Sequence, residues 1–469
     1  MTQDALALQA LQHIWQVAAR DQAQLRDVSI DITGSLPSRY YVGSLASATI
    51  AAQAAAAAAI WKQRTGDTQT VSVDQRRALA IFRGERYLRL NQQPVVDDLS
   101  PLFGYYPTAN GHWVQLHTNF PHHRDGVLRL LGCEPTRQAV AEALSRWSAE
   151  QLETQLAQAG LVGSAIRTPA QWQAHAQAAA LTNLPLFEIT KIGEGPITPI
   201  GGGLAPDRPL SGVRVLDLSR VIAAPVAART LAQHGADVLA VSAEHLPNIR
   251  PFVIDTGRGK RSTFIDLRTP TGCETLQSLV RDADIFVQAF SPGAMANKGF
   301  GPEALMRTRP GIIYVSLSAY GHVGPWSTRR GYDSLVQSAT GIAYSEGEAA
   351  ATATAEPGKL PCQALDHATG YLAAFGAMTA LHRRALEGGS WLVRVSLAQT
   401  ARWLVSMGDR ADGMSEPELS LDEISPWLER IDSPFGQVDA ISPVEQMSRT
   451  PAKLVLPPVP LGTHDPVWL

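Results

Sequence analysis

The feature that most constrains the fold is a regular alternation of strand and helix patterns in the second half of the chain. The strand-like runs are VRVLDLS, ADVLAVS, DIFVQAF and GIIYVSLSA, and helical stretches such as VAARTLAQHG separate them. Short apolar strands that alternate with helices are typical of a parallel, doubly wound α/β sheet. Ligands of such sheets bind at the carboxyl ends of the strands, so we expect a site at the loops after Leu218, Phe290 and Ser318.

Glycine and proline replace any regular pattern over residues 191–211, which predicts a linker. Ahead of it, residues 104–118 predict a hairpin with Asn110-Gly111 at its turn, and helical patterns follow. The predicted organisation is an N-terminal helical segment over 1–94, a small α+β domain over 95–190, and a large Rossmann-like domain over 212–405. The remaining residues, 406–469, are predicted to be a tail that packs back on the large domain.

Composition excludes several classes of protein. The 40 basic and 43 acidic residues are interspersed, without the basic stripe that binds nucleic acid. Three distant cysteines, Cys133, Cys273 and Cys362, suggest neither disulfides nor a zinc site, and we expect a reducing, cytoplasmic location. The most apolar run, residues 48–61, is shorter than the roughly 20 residues that span a bilayer, which predicts a packed helix and no membrane association.

A weak internal repeat links the two halves of the chain. Residues 69–80, QTVSVDQRRALA, align with residues 391–402, WLVRVSLAQTAR, at an offset of 322 that places Val71 on Val393. The same offset matches an alanine-rich helix with the helix that follows Asp366, and it puts Ser44 opposite Asp366. Two alanine-rich helices can also match by accident. If the repeat is real, the N-terminal segment is a degenerate copy of the region around Asp366.

Familiar catalytic motifs are missing from the sequence. The turn after VRVLDLS contains no glycine, which argues against a dinucleotide site, and there is no Walker lysine loop, HExxH or GxSxG motif. Asp366, in PCQALDHATGYLAAFG, is either a helix N-cap or a catalytic carboxylate. The basic turn around Lys260 and Arg261 is either solvated charge or a phosphate site. Phe290, beside a Pro-Gly turn, is either core or a surface on which a base stacks.

Six phrases in order resemble the class III CoA-transferase family over residues 208–405. They are SGVRVLDLSRVIAAPVAARTLAQHGADVLAV, RGKRSTFIDLRTPTG, DADIFVQAFSPGAMANKGFG, GIIYVSLSAYGHVGPW, RRGYDSLVQSATG and LDHATGYLAAFGAMTALHRR. The resemblance implies transfer of coenzyme A from an acyl-CoA to a small carboxylic acid, with no metal and no tightly bound cofactor. It also implies a homodimer and a large domain with the predicted Rossmann-like α/β fold.

The resemblance assigns residue roles. Asp366 falls on the nucleophile, which forms a mixed anhydride and then an aspartyl-CoA thioester, and Tyr332 falls on an active-site aromatic. The positions that match CoA contacts are Val221, Lys260, Arg261, Phe290, Ala294 and Arg330. His367, the neighbour of Asp366 on a helix, is expected to point elsewhere and to be structural.

Two alternatives to the transferase follow from departures in the sequence. Ala289-Phe290-Ser291-Pro292-Gly293 stands where the family commonly has Asn-Phe-Arg-Pro-Gly, and Ala240-Val241-Ser242-Ala243 replaces a Lys-Val-Glu-Arg phrase. These losses favour a non-catalytic paralogue that binds acyl-CoA as a scaffold. A racemase is less favoured, because that branch has histidine where this chain has Tyr332, and tyrosine is a poor acid or base near neutral pH.

Overall fold

The computed structural model describes residues 3–96, 100–203, 205–350 and 356–469. The N-terminal part, before residue 97, contains two short parallel strands and a long buried helix. Its elements are α1 (Gln3–Val17), β1 (Val28–Asp31), α2 (Val42–Thr65), β2 (Val71–Asp74), α3 (Gln75–Ile81), α4 (Gly84–Tyr87), β3 (Arg89–Leu90) and β4 (Gln93–Pro94).

The small unit follows, as a three-stranded antiparallel sheet with helices against it. Its elements are β5 (Gly104–Pro107), β6 (Trp113–Leu116), α5 (Pro121–Leu131), α6 (Arg137–Leu144), α7 (Ala149–Gln158), β7 (Gly163–Ala165), α8 (Pro169–Gln173) and α9 (Ala176–Leu181). The predicted hairpin is confirmed, because β5 and β6 pair antiparallel and Gly111 takes the positive φ of 72° that their turn requires.

The large unit and the tail complete the chain. The large unit comprises β8 (Phe187–Gly193), β9 (Arg214–Leu218), α10 (Ala223–Gln233), β10 (Asp237–Ser242), α11 (Arg250–Gly257), β11 (Arg261–Phe264), α12 (Pro270–Val280), β12 (Ile285–Gln288), α13 (Pro302–Thr308), β13 (Ile313–Ser318), α14 (Asp333–Ala339), α15 (Ile342–Ala349), α16 (Ala364–Glu387), β14 (Ser390–Ser396) and α17 (Leu397–Ser406). The tail adds α18 (Leu421–Ile424), β15 (Leu428–Ser433), β16 (Gly436–Ile441) and β17 (Gln446–Met447).

The large sheet confirms the predicted doubly wound α/β fold. Its strand order is β11, β10, β9, β12, β13, β14, β8, and the first six strands are parallel. Successive side chains of β9 enter different cores: Val215 packs with α10 and α16, whereas Leu216 packs with α12. Burial on both faces explains why the strands are continuous apolar runs. The strand order reverses between β9 and β12, and this reversal places a crevice at their carboxyl ends.

The edge strand β8 corrects the predicted linker. Residues 191–193 belong to β8, which pairs antiparallel with β14 from Phe187 to Gly193. The β-branched residues Ile189, Thr190 and Ile192 favour an extended strand until Gly193, and only then do glycine and proline dominate. Phe187 to Thr190, predicted to lie in the small domain, therefore belong to the large sheet.

The tail also departs from the prediction. Its hairpin, β15 and β16, pairs with β3, and β17 pairs with β2, so the first half of the tail packs on the N-terminal part. The hairpin also contacts the large unit, since Arg258 donates to the Ile441 carbonyl. The end of the tail packs on the large sheet, where the N–H of His464 donates to the Ser262 carbonyl over 2.7 Å. Open strand edges in the N-terminal part provide these pairings.

The two long helices share one architecture. Helices α2 and α16 each have 24 residues, and the offset of 322 relates their first residues and their last residues. A glycine, Gly66 or Gly388, follows each helix, and the same offset relates the starts of α3 and α17. We call the two segments the first copy and the second copy. They pack against each other through α2 and α16.

Helix α2 is long and apolar enough to span a membrane, since it extends well beyond the apolar run of residues 48–61. The length argument made from the sequence was therefore wrong. Burial is the better criterion: from Val42 to Ala57 every residue of α2 is buried within the fold. Such burial is typical of the core helix of a folded protein.

Candidate active site

A cavity of about 400 Å³ opens at the reversal point of the large sheet. Loops after β9, β12 and β13 line it, as expected from the sequence, and the start of α16 and the small unit complete its wall. Six of the eight residues singled out in the sequence meet there. They are Asp366, Tyr332, Val221, Phe290, Ala294 and Arg330.

Lys260 and Arg261 are placed elsewhere. The Lys260 ammonium lies 2.7 Å from Asp217 Oδ2 and 2.8 Å from the Pro225 carbonyl. The Arg261 guanidinium pairs with Asp237 at 3.0 Å and donates to the Val467 carbonyl. Both side chains are buried and neither lines the cavity. The geometry therefore gives no support to a phosphate-binding role, because their charges are already neutralised inside the protein.

Asp366 is not a helix N-cap. Helix α16 begins at Ala364 with Gln363 at the N-cap, so Asp366 is the third helical residue, and its side chain lines the cavity. No hydrogen bond to its carboxylate occurs among the residues that the structure describes. Burial, together with the neighbouring charges of Asp333 and Glu85, raises the pKa of Asp366 well above its usual range. The result is a basic, unpartnered carboxylate facing an open cavity.

Asp333 contacts the helix start that carries Asp366. It was not predicted from the sequence, where its Gly-Tyr-Asp segment was considered only for Tyr332. Its Oδ2 accepts a 2.9 Å hydrogen bond from the backbone N–H of Asp366, and its Oδ1 accepts one from Gln337. Burial raises the pKa of Asp333 to about 6, although both hydrogen bonds oppose the shift. Asp333 therefore holds the start of α16 in place and repels negative charge on Asp366.

Tyr332 joins the small unit to the large unit. Its ring stacks on His117 with the ring centres 4.1 Å apart, and Phe120 lies beside it. Burial raises the pKa of Tyr332 to about 12, so its hydroxyl remains a hydrogen-bond donor at neutral pH. His122 and His123, from the same segment of the small unit, line the cavity. Nothing in the local sequence indicates this role, because the segment lies in a separate unit, more than 200 residues before Tyr332 and Asp366 in the chain.

The turn after β9 is strained. Val221 has a φ of 73°, a conformation that is rare for a β-branched residue, and it lines the cavity. Such strain persists only where the surroundings enforce it, and it is concentrated at functional sites. The neighbouring Arg220 also lines the cavity. Its place directly after a strand at the reversal point is a sequence signal that could have found it.

His367 points away from the cavity, towards the first copy. Its Nε2 lies 3.4 Å from Glu85 Oε2, and its ring stacks on Phe82 at 5.1 Å between ring centres. The side chain is buried between the two copies and does not line the cavity. This placement agrees with the structural role expected from the sequence.

The corresponding site in the first copy is filled. Ser44 is the third residue of α2, as Asp366 is of α16, and it is only 2% exposed. A side chain at Gly43 would come within 2.7 Å of the Gln75 amide, which packs against the helix start. The residue that corresponds to Gln75 in the second copy is Leu397, which instead lines the cavity. The first copy therefore has neither the carboxylate nor the space for a substrate.

Comparison with known proteins identifies the family. The sequence model of CoA-transferase family III matches residues 30–191 and 210–418, which is most of the chain. The chain belongs to CoA-transferase family III. Both copies of the repeat lie within the matched residues, and so does the whole cavity wall. The resemblance noted in the sequence is thus confirmed and extends to the N-terminal part.

Three relatives illustrate the similarity. The acetyl-coenzyme A transferase nodX of Hypoxylon pulicicidum is 36% identical over 43% of this chain and 34% of its own length. The succinate–glutarate CoA-transferase of Agrobacterium fabrum is 39% identical over 30% and 40%. The crystal structure of Rv3272 from Mycobacterium tuberculosis is 31% identical over 43% of this chain and 58% of that one, with a TM-score of 0.40. The chain thus spans about a third to two fifths of the first two proteins.

Proposed function

We propose that the protein transfers coenzyme A between an acyl-CoA thioester and a carboxylic acid, with Asp366 as the nucleophile. The observation that carries this proposal is the state of Asp366: a buried carboxylate with a raised pKa and no hydrogen bond from the described residues, facing a cavity at the reversal point of the sheet. Membership of CoA-transferase family III supports the same chemistry. The substrates are an acyl-CoA and a small acid.

The proposed reaction begins when the ionised Asp366 attacks the thioester carbonyl. The carbon–sulfur bond breaks, the thiolate of CoA leaves, and a mixed anhydride remains on Asp366. The thiolate then attacks the aspartyl carbonyl, which releases the first acid as a carboxylate and leaves an aspartyl-CoA thioester. The acceptor carboxylate attacks this thioester, and the same steps in reverse order regenerate Asp366 and release the new acyl-CoA. Covalent catalysis divides one difficult transfer into easier steps.

The electrostatics of the site favour these intermediates. Asp366 is negative when it is ionised for attack, but it becomes a neutral anhydride or thioester after attack. Burial and the charges of Asp333 and Glu85, which disfavour the negative carboxylate, therefore favour the acylated states. The raised pKa also makes the carboxylate a stronger nucleophile once it is ionised. The Tyr332 hydroxyl supplies a protonated donor in the same cavity for the oxygen that becomes negative during attack.

The geometry of the cavity favours one of the two alternatives, the scaffold paralogue, more than the other, the racemase. The buried ion pairs of Lys260 and Arg261 remove two predicted CoA contacts, and this observation favours the scaffold paralogue. His122 and His123 put imidazoles into the cavity, as a racemase would need. However, burial and neighbouring positive charges lower the pKa of His123 to about 3, which makes it a weak base. The racemase is therefore not favoured.

A transfer assay tests the proposal. The purified protein is incubated with a panel of acyl-CoA donors and carboxylic acid acceptors, and the new thioesters are separated by chromatography. We expect at least one pair to exchange CoA. Measurable acyl-CoA binding without exchange for any pair would favour the scaffold instead. A cytoplasmic location, a homodimer and the absence of a bound cofactor remain predictions.

Asp333→Asn is expected to move the acid limb of the rate profile to lower pH. The substitution removes a negative neighbour, which lowers the pKa of Asp366, and Asp366 must be ionised to attack. The measurement is the initial rate from about pH 5 to about pH 8, with Asp125→Asn, whose side chain is about half exposed, as a matched control. A limb that stays in place or moves to higher pH would show that Asp333 does not repel charge on the nucleophile.

Asp333 also changes how the folding stability depends on pH, and the direction of this change follows from its raised pKa. Because the pKa of Asp333 is raised to about 6 in the folded protein, its stabilising contribution is fully present below its unfolded value near 4. That contribution is lost as the pH rises through about 6. Asp333→Asn should therefore make the free energy of unfolding fall less as the pH rises from about 4 to about 6. Unfolding in denaturant at several pH values measures this dependence directly.

A further inference from the structure

The segment that joins β6 to α5 contains a group of buried polar atoms without partners. Among the described residues, four of its side-chain atoms are enclosed and form no hydrogen bond: His117 Nδ1, Thr118 Oγ1, Asn119 Oδ1 and His123 Nδ1. Buried polar groups are normally hydrogen-bonded, and each exception requires an explanation, such as a catalytic role. His123 is the member of this group that also lines the cavity.

One ring nitrogen of His123 is open to a ligand. The residue is only 2% exposed, and neither of its ring nitrogens forms a hydrogen bond with the described residues. Nδ1 is enclosed, whereas Nε2 is not. The ring packs against His122 and Phe120, with ring centres 4.0 Å and 6.3 Å away. Nε2 is therefore an unpartnered polar atom on a packed ring in the cavity wall.

His123 lies close to the segment that holds the nucleophile. Its ring is nearly perpendicular to that of Tyr332, at 82°, and the ring centres are 6.4 Å apart. The residue after Tyr332 is Asp333, which accepts a 2.9 Å hydrogen bond from the backbone N–H of Asp366. His123, Tyr332 and Asp366 therefore share one part of the cavity wall, and a thioester that Asp366 attacks lies beside all three.

The charge state of His123 suits a hydrogen-bond donor at this place. Burial, followed by the neighbouring positive charges, lowers the pKa of His123 to about 3, so the imidazole is neutral at neutral pH. A neutral imidazole still carries one N–H. A cation beside Asp366 would stabilise the negative carboxylate and weaken it as a nucleophile. A neutral donor avoids this effect and can still stabilise a developing negative charge on oxygen.

We propose that His123 is a further catalytic residue, whose Nε2–H donates a hydrogen bond to the thioester carbonyl oxygen while Asp366 attacks the carbonyl carbon. The inference rests on the proposed function and adds a second donor to that of Tyr332. As the new carbon–oxygen bond forms, the π electrons of the carbonyl move to its oxygen, and the two donors stabilise this charge. The electrons then return, the carbon–sulfur bond breaks and the CoA thiolate leaves. The proton stays on His123 throughout.

The test measures the rate of covalent labelling of Asp366 in a single turnover, with succinyl-CoA and with butyryl-CoA. His123→Phe keeps a flat ring but has no donor. It should reduce the labelling rate by about a hundredfold to a thousandfold, which is the effect of one donor to a developing oxyanion. His123→Gln keeps an N–H group and should remain within about tenfold of the wild type.

Affinity is measured by calorimetry on proteins that also carry Asp366→Asn, which retains the shape of the cavity without the nucleophile. His123→Phe should change the affinity by no more than about threefold, because the hydrogen bond strengthens only as the oxygen becomes negative. The control is His112→Phe, a histidine on the β5–β6 turn whose side chain is 42% exposed. This variant should label within about twofold of the wild type.

Three results would overturn the proposal. Unchanged labelling in His123→Phe would show that the donor is not needed. An equal loss in His123→Phe and His123→Gln would assign the residue to packing instead of hydrogen bonding. A loss of affinity as large as the loss of rate would assign it to substrate binding in the ground state.

Infrared spectroscopy separates this inference from the proposed function. The carbonyl stretch of isotope-labelled butyryl-CoA is recorded on Asp366→Asn, with and without His123→Phe. We expect a lower frequency when His123 is present, because a hydrogen bond polarises the carbonyl. This shift without covalent labelling of the wild type would overturn the transferase but support the contact of His123 with the carbonyl. Labelling of the wild type that does not depend on His123 would support the transferase and overturn this inference.

Discussion

Asp366→Ala is expected to reduce CoA transfer by about a thousandfold or more, because it removes the atom that forms both covalent intermediates. The affinity for acyl-CoA should change much less, since the remainder of the cavity wall stays in place. The measurement is the rate of thioester exchange at saturating donor, with affinity determined separately. Asp366→Asn, which keeps the size of the side chain, should show the same loss of rate.

The repeat provides a matched control for this experiment. Ser44 occupies the equivalent position at the start of α2 and is buried in a site that Gln75 fills. Ser44→Ala should therefore leave the rate within about twofold of the wild type. A comparable loss of rate in both variants would mean that the first copy takes part in the chemistry. Full activity in Asp366→Ala would remove the nucleophile from the proposed reaction.

Asp255→Ala should produce the largest loss of stability. The Asp255 carboxylate lies 2.6 Å from both Arg229 and Arg258, and all three side chains are almost completely buried. Burial opposes its ionisation, yet the two arginines lower the pKa of Asp255 to about 2. Removing the carboxylate takes the ion-pair partner from the buried Arg229 and one of two partners from Arg258, which still contacts Glu429. Breaking a buried pair in this way costs about 3–5 kcal/mol.

Chemical denaturation of Asp255→Ala and of a surface control measures this effect. The control is Asp266→Ala, which removes the partner of the exposed Arg268 and should barely move the unfolding midpoint. Arg258 also contacts Glu429 and the Ile441 carbonyl in the tail, so the same cluster ties the tail to the large unit. Equal changes in the two variants would show that the buried cluster is not a principal source of stability.

Local sequence patterns predicted much of the fold. Continuous apolar strands such as VRVLDLS indicated a sheet that is buried on both faces, and the structure confirms it. The offset of 322 matched the ends of α2 and α16, because a common repeat preserves helix length more strictly than side chains. The pairings of the tail with β2 and β3 were not predicted, since short strands carry little information about which edge they will join.

The residues of the cavity could be predicted from the sequence only where they belong to the large unit. Phe290 follows a strand and Asp366 stands at the start of a helix, so their positions suggested a site, whereas Tyr332 was assigned through the family resemblance; all three line the cavity. His122 and His123 reach it from a separate unit, and no local pattern predicts that approach. Lys260 and Arg261 show the opposite case: the sequence reveals their charge, but only the fold reveals that Asp217 and Asp237 already neutralise it.

The central claim is that Asp366 forms a covalent bond with the substrate. Intact-protein mass spectrometry after rapid quenching of the protein with succinyl-CoA and butyryl-CoA measures this directly, followed by mapping of any adduct that hydroxylamine removes. The account predicts a CoA or acyl adduct on Asp366 that is absent from Asp366→Ala and present in Ser44→Ala. Acyl-CoA exchange that proceeds without an adduct on Asp366, or with one on another residue, would contradict it.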